Sequence, residues 1–257
     1  MRYLFLLLIA VALSMVSLVY CGDESGVGGS GGGGGTGGVS TTPRIVVIKE
    51  WSPLIGLVGV LQGVKICGTD TGDCVLTDAA GRATVQIPIG REFSFTLDKE
   101  GEAPFLLPDF DPSGVELFPT FGMVMDQRQA DMHARVMSPY PMEGTGSIVI
   151  VFEPRFSTIA TGCVGVAGVT LDLADATGKY YYYDEQGNWD ADLTATTCWG
   201  WGGFTEVTPG IVEVEIGGNA EGCVVLQGWP GEVENSVRMP IQAGYLTRVR
   251  VACDAPE

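Results

Sequence analysis

Residues Gly63–Leu97 read GVKICGTDTGDCVLTDAAGRATVQIPIGREFSFTL. Gly63-Val64-Lys65-Ile66-Cys67 alternates apolar and polar residues, and Thr69-Asp70-Thr71-Gly72-Asp73 is a turn. Ala83 to Pro88 alternates again. Glu92-Phe93-Ser94-Phe95-Thr96-Leu97 then puts Phe93, Phe95 and Leu97 on one side. A period of two is the mark of a half-buried strand, because successive side chains leave opposite faces. Glycine, aspartate and threonine between such runs supply the turn conformations that antiparallel strands need.

The same pattern extends in both directions. Strands are expected at Arg44–Ile48, Ser147–Phe152, Val169–Leu173, Lys179–Tyr183, Ile211–Ile216, Cys223–Gln227 and Leu246–Val251. Short strands at close spacing indicate a sandwich or barrel. Asp126 to Arg135 alone contains a run of helix formers, with Asp126 as cap, and predicts a short surface helix. The pattern also repeats: Thr77 to Gly90 precedes the strand at Phe93–Leu97, and Thr196 to Gly210 precedes the one at Val212–Ile216. Each reads glycine, short strand, proline, glycine, strand.

The turn Thr77-Asp78-Ala79-Ala80-Gly81, then Pro88 and Gly90, then Gly101 to Pro104 resemble the hallmark of carboxypeptidase regulatory-like domains. The resemblance covers most of Gly63–Pro108, and Gly146–Asp254 resembles a diverged member. It implies a transthyretin-type β-sandwich that serves as an accessory or binding module, with no catalytic residues to carry over. The expected fold is therefore all-β: two small transthyretin/Ig-like sandwiches over 43–142 and 143–257.

Ahead of them, Arg2 precedes an uncharged run from Tyr3 to Tyr20, the layout of an export signal. Leu18-Val19-Tyr20-Cys21 resembles the lipobox of bacterial lipoproteins, which implies cleavage before Cys21 and a lipid on its sulfur. Tyr20 is larger than is usual there, and an uncleaved membrane helix or plain secretion are the alternatives. Residues 1–21 are thus read as signal and lipobox, and 22–42 as a disordered glycine-rich linker unable to bury a core. As a coil it spans about 25 Å.

The chain has seven cysteines. Setting Cys21 aside leaves Cys67, Cys74, Cys163, Cys198, Cys223 and Cys253 as disulfide candidates in an oxidising compartment. Cys67 with Cys74 would clip a hairpin; Cys223 with Cys253 and Cys163 with Cys198 are the preferred remaining pairs. Free buried thiols are the alternative. No Cys-x-x-Cys is present and His133 is the single histidine, so no metal or other cofactor is expected.

Net charge is −17, which excludes nucleic acid as a partner because phosphates require a basic footprint. His133 is read as exposed and inert. No nucleophile motif, phosphate loop or dinucleotide fingerprint is present. Asp184, Glu185, Asp190 and Asp192 surround Gly187-Asn188 and are read as turn acids; glycoside hydrolysis or calcium binding is the remoter use. Tyr181, Tyr183, Trp199 and Trp201 form a speculative platform on which sugars would stack, against the plainer reading of core aromatics.

These readings converge on a non-enzymatic lipoprotein of the cell envelope, on the outer membrane and facing periplasm or exterior. It is held to the membrane by an N-terminal lipid or helix and acts as a binding or structural module for a protein or glycan. The alternative is an accessory protein that presents a carbohydrate or peptide to a partner enzyme.

Overall fold

Arg82–Pro88 buries every second residue, Ala83, Val85 and Ile87, and exposes Arg82, Thr84 and Gln86. That alternation fixes which face of the strand meets the core, since a slip of one residue would turn all three outward. The computed structural model describes residues 40–52, 56–110, 120–155 and 164–254. The lipobox with Cys21, nearly all of the linker, and Cys163 lie outside the described residues. Thr41 and Thr42, read as linker, already pair with Pro88 and Ile87 as strand.

The first half comprises β1 (Thr41–Ser52), β2 (Gly56–Val60), β3 (Lys65–Gly68), β4 (Cys74–Leu76), β5 (Arg82–Pro88), β6 (Glu92–Asp98), β7 (Phe105–Phe110) and β8 (Thr120–Met123). Helix α1 (Asp126–Arg135) follows. The second half comprises β9 (Gly146–Pro154), β10 (Val169–Leu173), β11 (Lys179–Tyr183), β12 (Trp189–Asp190), β13 (Trp201–Val207), β14 (Gly210–Gly218), β15 (Glu221–Gln227), β16 (Trp229–Pro230), β17 (Ser236–Ile241) and β18 (Leu246–Asp254). The protein is all-β apart from that short helix.

The two halves carry the same strand plan. β1 runs antiparallel to β5 and parallel to β8; β9 runs antiparallel to β13 and parallel to β18. Facing these, β3, β6 and β7 are consecutive antiparallel neighbours, as are β10, β14 and β17. The duplication reaches individual hydrogen bonds. Thr77 Oγ1 accepts from Val64 N at 2.9 Å and donates to Leu61 O at 2.6 Å. Thr196 Oγ1 accepts from Val169 N at 2.9 Å and donates to Val166 O at 2.8 Å. Four residues after each threonine, Gly81 and Gly200 sit at φ 70° and 67°, and their carbonyls accept from Ile48 N and Phe152 N. A Cβ there would fall 2.7 Å from Ile48 O or 2.5 Å from Phe152 O, so a side chain is excluded by backbone as well as by φ. Asp78 closes the first turn by accepting from Ala80 N and Arg82 N.

The halves are nevertheless not two separate bodies. β18 pairs in parallel with β7 through Leu246–Phe105 and Thr247–Leu106, which merges one sheet from each half into a single ten-stranded sheet. This corrects the expectation of two independent small sandwiches: residues Val39–Glu257 form one compact unit. Trp229 Nε1 donates to Phe93 O at 3.0 Å, Tyr245 OH donates to Asp98 at 2.9 Å, and Arg238 pairs with Glu92, all across the seam.

The continuous apolar run Ile148–Phe152 has its cause in this arrangement. Ile148, Ile150 and Phe152 enter the second half's core with Val249 and Val251, whereas Val149 points the other way, into the first half's cluster. A strand covered on both faces loses its polar alternation.

Cys67–Cys74 and Cys223–Cys253 are disulfides, and Cys198 is also disulfide-bonded. The sequence separations are 7 and 30 residues. Loop-closure entropy then predicts that removing Cys223–Cys253 costs about 3.5 kcal/mol and removing Cys67–Cys74 about 2 kcal/mol. Urea unfolding of the paired Cys→Ala variants checks this order, and a larger loss from the hairpin clip would contradict it.

Candidate functional site

The outer face of the β11–β13–β9–β18 sheet meets the first half along a junction, and the aromatic residues gather there. Strand periodicity separates the four consecutive tyrosines. Tyr180 and Tyr182 take one face, with Tyr182 OH accepting from Leu171 N at 3.0 Å. Tyr181 and Tyr183 take the other, beneath α1 and β12, and are 0% and 4% exposed. This corrects their placement on a ligand platform: the face chosen for the surface is the one that α1 covers. Trp189 stacks on Tyr181 at 3.9 Å, and Tyr181 OH donates to Ile148 O at 2.7 Å. Burial raises the Tyr181 and Tyr183 phenols well above their ordinary range, so both are neutral.

Helix α1 completes the cover. Its N-cap is Met125, not Asp126, which is the first residue of the helix and accepts from Tyr140 OH. Gln129, Met132 and His133 point inward. His133 is therefore buried, not exposed: it lies 5.0 Å from Trp189 and 5.1 Å from Tyr140, with Ser147 Oγ 3.4 Å from Nε2. Burial lowers its pKa from 6.5 to about 4. Between those values the unfolded chain binds the proton and the folded protein does not, so stability present at pH 7 is lost as pH falls from 6.5. The loss attributable to His133 reaches about 3 kcal/mol by pH 4. Urea midpoints of the protein and its His133→Gln variant at pH 7 and pH 4.5 should show that the variant lacks this component; equal pH dependence would contradict it.

Beside these rings lies a small cavity lined by Trp51, Gln129, Tyr183, Trp201 and Arg248, with Phe105 and Leu246 among its apolar walls. Trp51 stacks on Trp201 at 4.7 Å and 26°, and Trp199 stands edge-on to Trp201 at 6.4 Å and 76°. Gly122 makes room for Trp51, since a Cβ there would come within 2.7 Å of the Trp51 Cβ. Trp51, Trp199 and Trp201 are partly exposed, as is Arg248. Because Trp51 covers one face of Trp201, the two predicted tryptophans do not form a flat two-ring platform.

Arg248 is the charged member. Its neighbour Arg250 takes Glu153 with two hydrogen bonds of 2.8 and 2.7 Å; Glu153 also favours the charge on Arg248 from further off, but no carboxylate among the described residues is at salt-bridge distance from Arg248. Burial, then Arg250, lowers its pKa to about 10, and it stays cationic. Trp51, Gln129 and Arg248 had no local signal in the sequence, since each is defined only by what the junction brings beside it.

The loop acids serve turns. Asp184 Oδ1 accepts from Gln186 N at 2.9 Å and Asn188 N at 2.8 Å, and Asp190 Oδ1 accepts from Asp192 N at 2.8 Å. Among the described residues no group of histidine, cysteine, aspartate and glutamate is placed to hold a metal ion. No helix among them is long and apolar enough to cross a membrane.

The fold and junction thus define an all-β, disulfide-containing protein with an aromatic cleft. A scan against family models and a search of curated proteins return no match. Among solved structures the chain is similar to the Bacillus anthracis TIE protein at 13% identity and TM-score 0.24, over 83% of this chain and 34% of that one. It is also similar to GBS52, the minor pilin of Streptococcus agalactiae, at 13% identity and TM-score 0.25, over 84% and 96%. A third is CBMbc, a family CBM26 module from Eubacterium rectale Amy13K in complex with maltoheptaose, at 13% and 0.21, over 83% and 99%. Likenesses of this size assign neither family nor ligand.

Proposed function

We propose that the protein is a non-enzymatic, envelope-anchored binding module whose contact surface is the junction cleft. The observation that carries this reading is the meeting of partly exposed Trp51, Trp199 and Trp201 with Arg248 at the seam of the two halves. Ligand sites favour such seams, where apolar walls surround a few polar groups. The export-type leader, the lipobox at Cys21 and the disulfides support a location outside the cytoplasm, and the acidic surface keeps the body in solution.

A tryptophan-fluorescence titration of the protein against glycans and peptides tests the binding reading. Binding should weaken about tenfold or more in Trp201→Ala, as loss of an aromatic anchor does. A ligand whose affinity ignores both Trp51→Ala and Trp201→Ala would overturn the assignment of this surface. Mass spectrometry of the membrane-derived N-terminus tests anchorage: a diacylglyceryl group on Cys21 is expected, and a free thiol there contradicts it.

A further inference from the structure

Binding at the junction leaves the chemistry of the ligand open, and the cleft narrows it. Resting on that proposed function, we propose that the cleft takes a carboxylate carried on a flat apolar body, with Arg248 and Gln129 holding the carboxylate and Trp51 and Trp201 the body.

Four observations meet in one cavity. Among the described residues no carboxylate lies at salt-bridge distance from Arg248: Glu153, the acid that acts on it from further off, is held by Arg250 in a two-pronged pair. Gln129 is 1% exposed, yet its Nε2 meets no acceptor. A buried donor without an acceptor is costly, and a guanidinium in apolar surroundings gains most from a bidentate oxygen pair. Both residues line the same cavity, and no acidic residue does. The cavity is small, about 20 Å³, a size that suits a carboxylate head. The rest of the ligand must therefore lie at the mouth, where Trp51 and Trp201 are partly exposed.

Charge selects further. The protein carries −17 overall, which repels a polyanion at long range. A lone carboxylate suffers less of that repulsion and meets Arg248 at close quarters. The matching chemistry is a single acid on an aromatic or similarly flat group, whether a free small molecule or a chain end.

The test compares acids with their neutral amides on the purified full chain. Benzoate against benzamide represents the free acid; N-acetylphenylalanine against its amide represents a chain end. Tryptophan fluorescence and the indole N–H resonances are the readouts. At least one acid should bind about tenfold or more tighter than its amide, the advantage of a charge-assisted pair. Arg248→Met should abolish that preference while keeping the fold, because an apolar side chain of similar length replaces a desolvated charge without loss of packing. Gln129→Glu places a carboxylate in the same cavity and should exclude the acid. The pair that binds identifies the source. Equal affinity for acid and amide, an acid preference that survives Arg248→Met, or no binding of either acid would overturn the proposal. The proposed function fails separately, if the ligands of the glycan and peptide titration ignore Trp51→Ala and Trp201→Ala.

Discussion

Trp189→Ala should remove about 3–5 kcal/mol of stability, the cost of a large cavity in a close-packed interior. The ring is 2% exposed and stacks on Tyr181, with His133 at 5.0 Å on another side. It is an aromatic contact through which α1 rests on the sheet of the second half, so its loss acts on the junction. Arg128 makes a second link, donating to Gly187 O and Asn188 Oδ1, both at 3.2 Å. Trp189→Phe should cost about 1–2 kcal/mol, because a smaller ring keeps the stack and leaves a smaller void. Hydrogen exchange should show α1 amides losing protection in the alanine variant ahead of those in β14 and β17. A loss under about 1 kcal/mol, measured by urea unfolding, would contradict the junction packing.

Thr77→Val and Thr196→Val should each cost about 2–4 kcal/mol. Each hydroxyl satisfies one backbone N–H and one backbone carbonyl that strand pairing leaves over, and valine keeps the shape while removing both bonds. Orphaning a buried donor or acceptor costs about 1–3 kcal/mol. Serine at either position restores the hydroxyl, so Thr→Ser should lose less than about 1 kcal/mol. The matching geometry at the two sites predicts matching losses. The shared sheet through β7 and β18 predicts that both variants lower one common transition. Two separate transitions, or a loss at only one threonine, would refute a duplicated yet continuous fold.

Local rules carried a large part of this architecture. The alternation at Ala83–Ile87 was legible as a strand with one buried face, because burial on one side is a period-two signal that needs no partner to be named, whereas its register against β1 was not. The repeat was legible as glycine, short strand, proline, glycine, strand, but the second turn glycine, Gly200, stands out only through its positive φ. What escaped was whatever depends on a second surface. Tyr180–Tyr183 offers aromatic rings on both faces, so alternation alone does not say which pair α1 buries. His133 lies in a polar helix, and its burial comes from Trp189 and Tyr140 beyond it. Trp51 and Arg248 are far apart in the chain, and only the joining of β18 to β7 brings the two halves, and so these two residues, to one cavity.

The proposed function requires that ligand binds at the junction cleft. The five tryptophans report on it directly, because each indole N–H gives its own NMR signal. During titration with any ligand found by the fluorescence screen, the signals of Trp51, Trp199 and Trp201 should shift together. Those of Trp189, behind the cleft wall, and Trp229, hydrogen-bonded to Phe93 O across the seam, should stay within the range of indirect effects. A saturating ligand that leaves Trp51 and Trp201 unmoved would contradict the claim.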